Sequence, residues 1–501
     1  MLLSLLKIDY RFVDNIYCCG DDHDYFMHSE TIAVDFDFDY KNQMIGIENK
    51  RYNQNGKIAP TGFLGSGLLA SPFLFIGNHL SNIFPENKNS IYNFKILFYS
   101  FSAIFYLLFS LIILRKLLDY KNYKLILISV FGSGITYYAF ERYSMTHIYE
   151  LFTVALVMLC CKLFYKSGSK KYAVLIPATI MLAFLVRWVN YFILFIPLII
   201  SFYEGSSKYK LTKSLHFYFS SFISFSAFLW FSNAVYGIYT FNPQKIYGKI
   251  GLAENLNIFS IQKIFNYLVD FLKINFSQEF GVLWFNPPIF FSLVIIIINL
   301  VNPKRKQKYI DLISLLCILS MYGLIIIWGS TGSSYGFRYL YGLLPISIYI
   351  LVKNNFTKNF YFKYFFILLC LFSFSSTLFF ETTELTQLSL VEENNVFGNS
   401  VRFTEPEYLK GYIFSLINLE SYLKIVSTSF IGVASFKILL YFYGKDSLIE
   451  FLSTLGLPSN NADFLNLLDK LELISFTKIS FSIVFIVIFI CSLKLNSIIR
   501  D

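Results

Sequence analysis

Long apolar runs, entered by charged residues almost only at their ends, dominate this chain. They fall near 95–115, 123–139, 147–165, 172–186, 188–203, 214–236, 284–302, 309–328, 338–353, 361–380, 424–443 and 476–495. Roughly 20 apolar residues suffice to carry a helix across the hydrocarbon core of a bilayer. Lipid offers no partner to free backbone N–H and C=O groups, so a spanning segment must be a helix or part of a closed barrel. Barrel strands are about 10 residues long and alternate in polarity, which these runs do not. The pattern predicts an all-α integral membrane protein, a multispan bundle of about 11–13 transmembrane helices. Composition agrees: 15% of the 501 residues are charged, where soluble proteins carry roughly 25%.

The loops between the runs give an orientation, because Lys and Arg concentrate on the cytoplasmic side. Arg115, Lys116, Lys121 and Lys124 follow the first run. Two runs later come Lys162, Lys166, Lys170 and Lys171, and after them Lys208, Lys210 and Lys213. Lys304, Arg305, Lys306 and Lys308 form the next basic loop, and Lys353, Lys358 and Lys363 the last. Every second loop is basic, provided that 172–203 crosses twice with a turn at Arg187. The net charge of +10 is thus a matter of topology and not of nucleic-acid binding.

The remaining loops then face outward: 1–94, 140–146, the Arg187 turn, 237–283, 329–337 and 381–423. They hold most of the acidic clusters, with His23, His28 and His79 inside them and His147 at a border. Three parts follow. Residues 1–94 form a first outer loop with interfacial helices, 95–380 a transmembrane core, and 381–501 an outer segment plus C-terminal spans. No span is evident ahead of the first loop. A helix upstream of Met1 is the expectation, an unusual N-terminal end the alternative. Of seven Cys, Cys160, Cys161, Cys317, Cys370 and Cys491 lie in or at the ends of apolar runs as small hydrophobes. No CxxC occurs, so no thiolate metal site is expected.

Chemistry is sought in the outer loops. Gly20-Asp21-Asp22-His23-Asp24-Tyr25 places a carboxylate pair just before a predicted helix. Such a pair suits a general base on an acceptor hydroxyl or amine, or a divalent-cation site; alone it more often marks a solvated acidic loop. Gly56-Lys57 opens a Gly-rich turn into an apolar stretch fitted to the interface. There Lys57 can meet a phosphate or simply snorkel. Glu141, Arg142 and His147 form a second polar group. His147 and Glu150, three apart, share a helix face. Arg187 interrupts an apolar run, and Arg338 opens another, where a guanidinium suits a phosphate or an ordinary interfacial anchor. Gly332 to Gly336 matches GxSxG but follows an apolar helix instead of a strand, so no nucleophile elbow is expected.

Their order along the chain resembles the bacterial GT-C membrane glycosyltransferases, relatives of protein O-mannosyltransferase and lipid A aminoarabinose transferase. The resemblance covers roughly residues 15–350. Gly20 to Tyr25 looks like the family's Gly-Asp-Glu-x-x-Tyr, with Asp21 at the catalytic aspartate and Asp22 where Glu is usual. Phe131 to Tyr138 resembles its small-residue run, and Phe280 to Pro288 its Gly-Leu-x-x-x-x-Pro segment. Lys57 looks like the donor-phosphate lysine. An Arg-Pro turn of the family is Arg187-Trp188 here.

The resemblance implies a GT-C-like fold in a bacterial inner membrane and a polyprenyl-phosphate sugar donor. A lipid, glycan or protein acceptor would approach from outside. Asp21 and Asp22 would be catalytic, Lys57 and Arg338 would hold the donor phosphate, and Glu141, Arg142, His147 and Arg187 would bind substrate. A divalent cation on Asp21 and Asp22 is compatible but not required. The competing expectations are a transporter or flippase of lipid-linked sugars, and a non-catalytic envelope assembly protein.

Overall fold

The computed structural model describes residues 19–44, 55–60, 62–83, 94–120, 122–140, 142–204, 210–247, 261–277, 280–305, 308–328, 336–356, 359–394, 417 and 439–454. Among the described residues the chain is helical, without a sheet. The runs near 424–443 and 476–495 lie largely or wholly outside them, as does the loop Gly329–Tyr335.

The stretch before the first apolar run contributes α1 (Cys19–Glu30), which passes into a π turn over Thr31–Asp35 and stops at a left-handed Phe36. The Asp21–Asp22 pair lies inside the first turns of α1 rather than just ahead of a helix. Next comes α2 (Gly65–Ile83), a 19-residue helix with Pro72 inside it. It begins three residues before the apolar stretch seen in the sequence. Its opening glycines are what allow this: a Cβ on Gly65 would strike the backbone of Leu185 and Val186, and one on Gly67 would strike His28.

Then follow α3 (Phe94–Leu117), α4 (Tyr123–Phe131), α5 (Ile135–Phe140), α6 (His147–Ser167) and α7 (Lys170–Val186). A 3-10 turn at Tyr191–Phe195 leads into α8 (Ile196–Tyr203), followed by α9 (Leu215–Tyr236) and α10 (Ile261–Phe276). Beyond a single turn at Val282–Phe285 come α11 (Pro287–Val301) and α12 (Lys308–Trp328). A 3-10 turn at Arg338–Leu343 starts α13 (Leu344–Lys353), and α14 (Phe360–Asn394) and α15 (Lys445–Thr454) follow; Leu211–Lys213, a 3-10 turn, and Gln244–Tyr247, a single helical turn, are further short elements.

Four helices among the described residues are long and apolar enough to cross a membrane: α3, α6, α12 and the Phe360–Thr377 part of α14. Tyr191–Tyr203 and Pro287–Val301 are shorter apolar segments. The 22-residue α9 is diluted by Ser, Tyr, His and Asn and does not reach the same apolarity. The run 123–139 is broken into α4 and α5, because Gly132 ends α4 against Cys370, where a Cβ would collide.

The spans are not equivalent. The apolar window of α6 is 83% buried, against 33–47% for the other three. α6 is therefore the axis of the bundle, packed against α3, α7 and α8, while the others keep an apolar face outward.

The two ends of the bundle differ in chemistry. At one end the basic connections fold onto acidic partners. Lys162 and Lys166 both reach Asp119 at 2.8 Å, and Glu204 accepts from Lys353 and Tyr349 at 2.8 Å each. Arg305 pairs with Asp311 and donates to Asn354, which in turn donates to Tyr203. Burial opposes ionisation of Asp119, but hydrogen bonds from the two lysines outweigh it and hold its carboxyl down to about 2. The opposite end gathers the start of α6, the end of α7 and the 3-10 turns at Tyr191–Phe195 and Arg338–Leu343, and there the candidate site lies.

Candidate functional site

The site grows from the first turn of α6. Thr146 accepts from the Glu150 N–H as the helix begins, and His147 and Glu150 then face the same way. Both are buried in the bundle. The His147 Nδ1 and the Glu150 Oε2 lie 3.3 Å apart, the pairing that three-residue spacing predicts. Tyr138 and Tyr341 sit edge-on to the imidazole, with centroids at 4.5 and 5.7 Å.

Glu150 is the hub. Its Oε2 accepts from the Arg187 Nη1 at 3.1 Å, and its Oε1 accepts from Asn190 Nδ2. A buried carboxylate needs such partners, since leaving one charge unmatched costs several kcal/mol. The turn that breaks 172–203 supplies them. α7 stops at Arg187, whose backbone is extended, and Asn190 opens the following 3-10 turn. The Arg187 side chain is only 11% exposed. Gly342 lets the Arg338–Leu343 turn press against Glu150, because a Cβ there would meet Oε1.

Two guanidiniums meet on one ring. Arg187 lies 5.0 Å and Arg338 5.1 Å from the centroid of Tyr339. Arg338 Nη2 also lies 3.3 Å from the Tyr339 hydroxyl oxygen. The faces of an aromatic ring attract cations, so Tyr339 holds together two positive charges that repel each other. Planar fork-shaped donors of this kind suit an oxyanion such as phosphate.

Beside this group lies a clamp between two segments distant in sequence. Asp22 is buried. One of its oxygens accepts from the Arg142 guanidinium, by way of Nε at 3.1 Å and also Nη2; the other accepts from the Ser144 hydroxyl. The partners lie 120 and 122 residues away in sequence. Asp22 thus fastens α1 to the short loop that delivers His147. A second fastening is the buried His28. Its Nε2–H donates to the Gly62 carbonyl, and its Nδ1 accepts from the Tyr40 hydroxyl, each at 2.7 Å. Burial pushes the imidazole down to about 4, so it is neutral and this tautomer is fixed by its partners. Burial likewise holds the Tyr40 hydroxyl well above its ordinary range. The Tyr236 hydroxyl bonds the same Gly62 carbonyl and brings in the end of α9.

Of the residues expected from sequence, Arg142 is joined to Asp22, and His147 and Arg187 are joined through Glu150, with Arg338 on the shared tyrosine. Lys57 is placed differently. Its ammonium donates to the Ala234 carbonyl at 2.6 Å, capping the C-terminal turn of α9. The Asp21 side chain and all of Glu141 lie outside the described residues. Sequence reading alone assigned no role to Ser144, Asn190, Tyr339 or Gly342. Their signal, polar or small residues beside the singled-out charges, is weak until the fold brings distant turns together.

Among the described residues no group of three or more His, Cys, Asp or Glu side chains is placed to hold a metal. A divalent cation on Asp22 does not fit this arrangement, since a guanidinium and a hydroxyl already occupy its oxygens. Comparison with protein-family models, with curated proteins and with solved structures gives no match for this chain.

Proposed function

We propose that this chain is a GT-C-type membrane glycosyltransferase, moving a sugar from a polyprenyl-phosphate donor to an acceptor on the extracytoplasmic face. One observation carries the reading: Arg187 and Arg338 converge on Tyr339, at 5.0 and 5.1 Å, at the end of the bundle that holds the acidic first loop. A sugar phosphate leaves with negative charge growing on its bridging oxygen, and fixed guanidiniums stabilise that charge more in the transition state than before it.

The step needs a base for the acceptor. Asp22 is committed to Arg142 and Ser144; the base in this reading is Asp21, in the first turn of α1, where the resemblance puts the catalytic aspartate. The acceptor oxygen forms its bond to the anomeric carbon as its proton passes to Asp21. The bond from that carbon to the phosphate oxygen breaks, and its electron pair leaves with the phosphate. One displacement inverts the anomeric centre. Lys57, bound to the end of α9, supports the reading less directly than the arginine pair does.

The test is mass spectrometry of envelope glycans and glycoproteins from cells with and without the gene, complemented by Asp21→Asn and Arg187→Gln. Loss of one glycan mass with the gene, and failure of both variants to restore it while they still insert, is the expected result. Full restoration by Asp21→Asn would remove the catalytic assignment.

A flippase or transporter of lipid-linked sugars is the second reading, favoured by the burial of His147 and Glu150 within the first turn of a candidate span. It expects gradient-driven flux in proteoliposomes and no change in glycan linkage.

A further inference from the structure

α10 lies between α9 and α11, in a stretch that sequence reading assigned wholly to an outer loop. Its C-terminal half is fastened to the bundle. Phe271 packs on Tyr322 at 5.1 Å, the Tyr322 hydroxyl donates to Asn275, Phe276 packs on Phe290 at 5.5 Å, and Ile274 is buried. The rest of its surface divides in two. Ile264, Phe265, Leu268 and Leu272 are all exposed, from 47 to 64%, and at 100° per residue they fall within one third of the helix circumference. Asn266 and Lys273, also exposed, lie on the neighbouring side. The helix therefore has three sides: one against the bundle, one apolar and open, one polar and open.

Two observations say what covers the apolar side. The first is depth. Tyr322, to which α10 is fastened, lies six residues before Trp328, where α12 ends. At 1.5 Å per residue that is about 9 Å below the end of a span. Interfacial amphipathic helices bury their apolar side about 5–10 Å into the headgroup–acyl boundary. The second is the span to which α10 is fastened: α12 exposes Leu312, Leu316, Leu319 and Ile327 along its length, all candidates for lipid contact. The Trp284 indole, which belongs at such a boundary, donates to the Phe276 carbonyl at 3.4 Å at the end of α10.

We infer that α10 is a membrane-seated interfacial helix, whose Ile264–Phe265–Leu268–Leu272 side is immersed in phospholipid at the outer boundary while Asn266 and Lys273 face water. The inference needs the bundle to span a membrane but not the transfer chemistry, so either can fail without the other.

The test uses the full chain in phospholipid vesicles, with the native cysteines replaced by alanine and a nitroxide attached to Leu268→Cys or Lys273→Cys. Collision with dissolved oxygen reports lipid, and collision with a neutral water-soluble nickel chelate reports water. At Leu268 oxygen should dominate and the chelate be excluded; at Lys273 the order should reverse. Chelate contact at Leu268 would place that side in water. Protection from both reagents would mean that protein covers it, whether another segment of this chain or a second copy. Either outcome overturns the assignment.

Discussion

Gly342 shows how narrowly the polar hub is built. A methyl group at this position meets Glu150 Oε1 and crowds the ring of Phe192. Gly342→Ala should push the carboxylate off Asn190 and loosen Arg187 without introducing any charge. Small-to-large changes in packed interiors cost about 1–3 kcal/mol. We expect a correspondingly lower unfolding midpoint in detergent and at least a tenfold drop in the proposed sugar transfer, measured with the Arg187→Gln chain as the reference for a lost guanidinium. At this scale the sequence was informative wherever partners are close in the chain: the His147–Glu150 pairing follows from three-residue spacing. It was silent on Arg187 to Glu150, 37 residues apart, and on Arg142 to Asp22, 120 apart. Those pairings depend on which helix ends meet, and periodicity does not encode that.

Among the elements, α1, the Gly56–Gly62 turn and α9 meet at the His28 network. Unfolded, this imidazole takes a proton near 6.5; folded, it does so only near 4. The unfolded chain thus binds more protons between those values, and native stability, complete above pH 6.5, falls as pH drops toward 4. The span corresponds to about 3 kcal/mol. Thermal melts between pH 7 and 4.5 should show this loss, and His28→Gln should flatten the slope while lowering stability at pH 7. Element existence was legible for the long apolar runs. Ends were not: α4 stops at Gly132 because of Cys370, and α1 starts early enough to take in Asp21 and Asp22. The stripe on α10 has a readable helical period, yet its runs of apolar residues are too short to stand out beside the spans.

For the molecule as a whole, the alternation of basic and acidic connections corresponds to two chemically distinct ends. Asp119, Glu204 and Asp311 each neutralise lysine or arginine at one of them, whereas the arginine pair and the Asp22 clamp occupy the other. Exposed positions at the two ends should therefore be labelled from opposite sides. Lys304→Cys should react with a membrane-impermeant maleimide only in inverted vesicles, and Tyr239→Cys only in right-side-out cells. Labelling of both from one side would refute the orientation read from the loops.

The distance in sequence between Asp22 and Arg142 also bears on how the chain is made. At about 5–20 residues per second of synthesis, Arg142 leaves the ribosome about 6–24 s after Asp22. Throughout that delay the first loop has its carboxylate but not its guanidinium, and burying it alone would be costly. In the orientation read from the loops, its final closure waits for a second hairpin to reach the same side of the membrane, so a defect limited to delivery of that hairpin would leave the earlier loop open to protease.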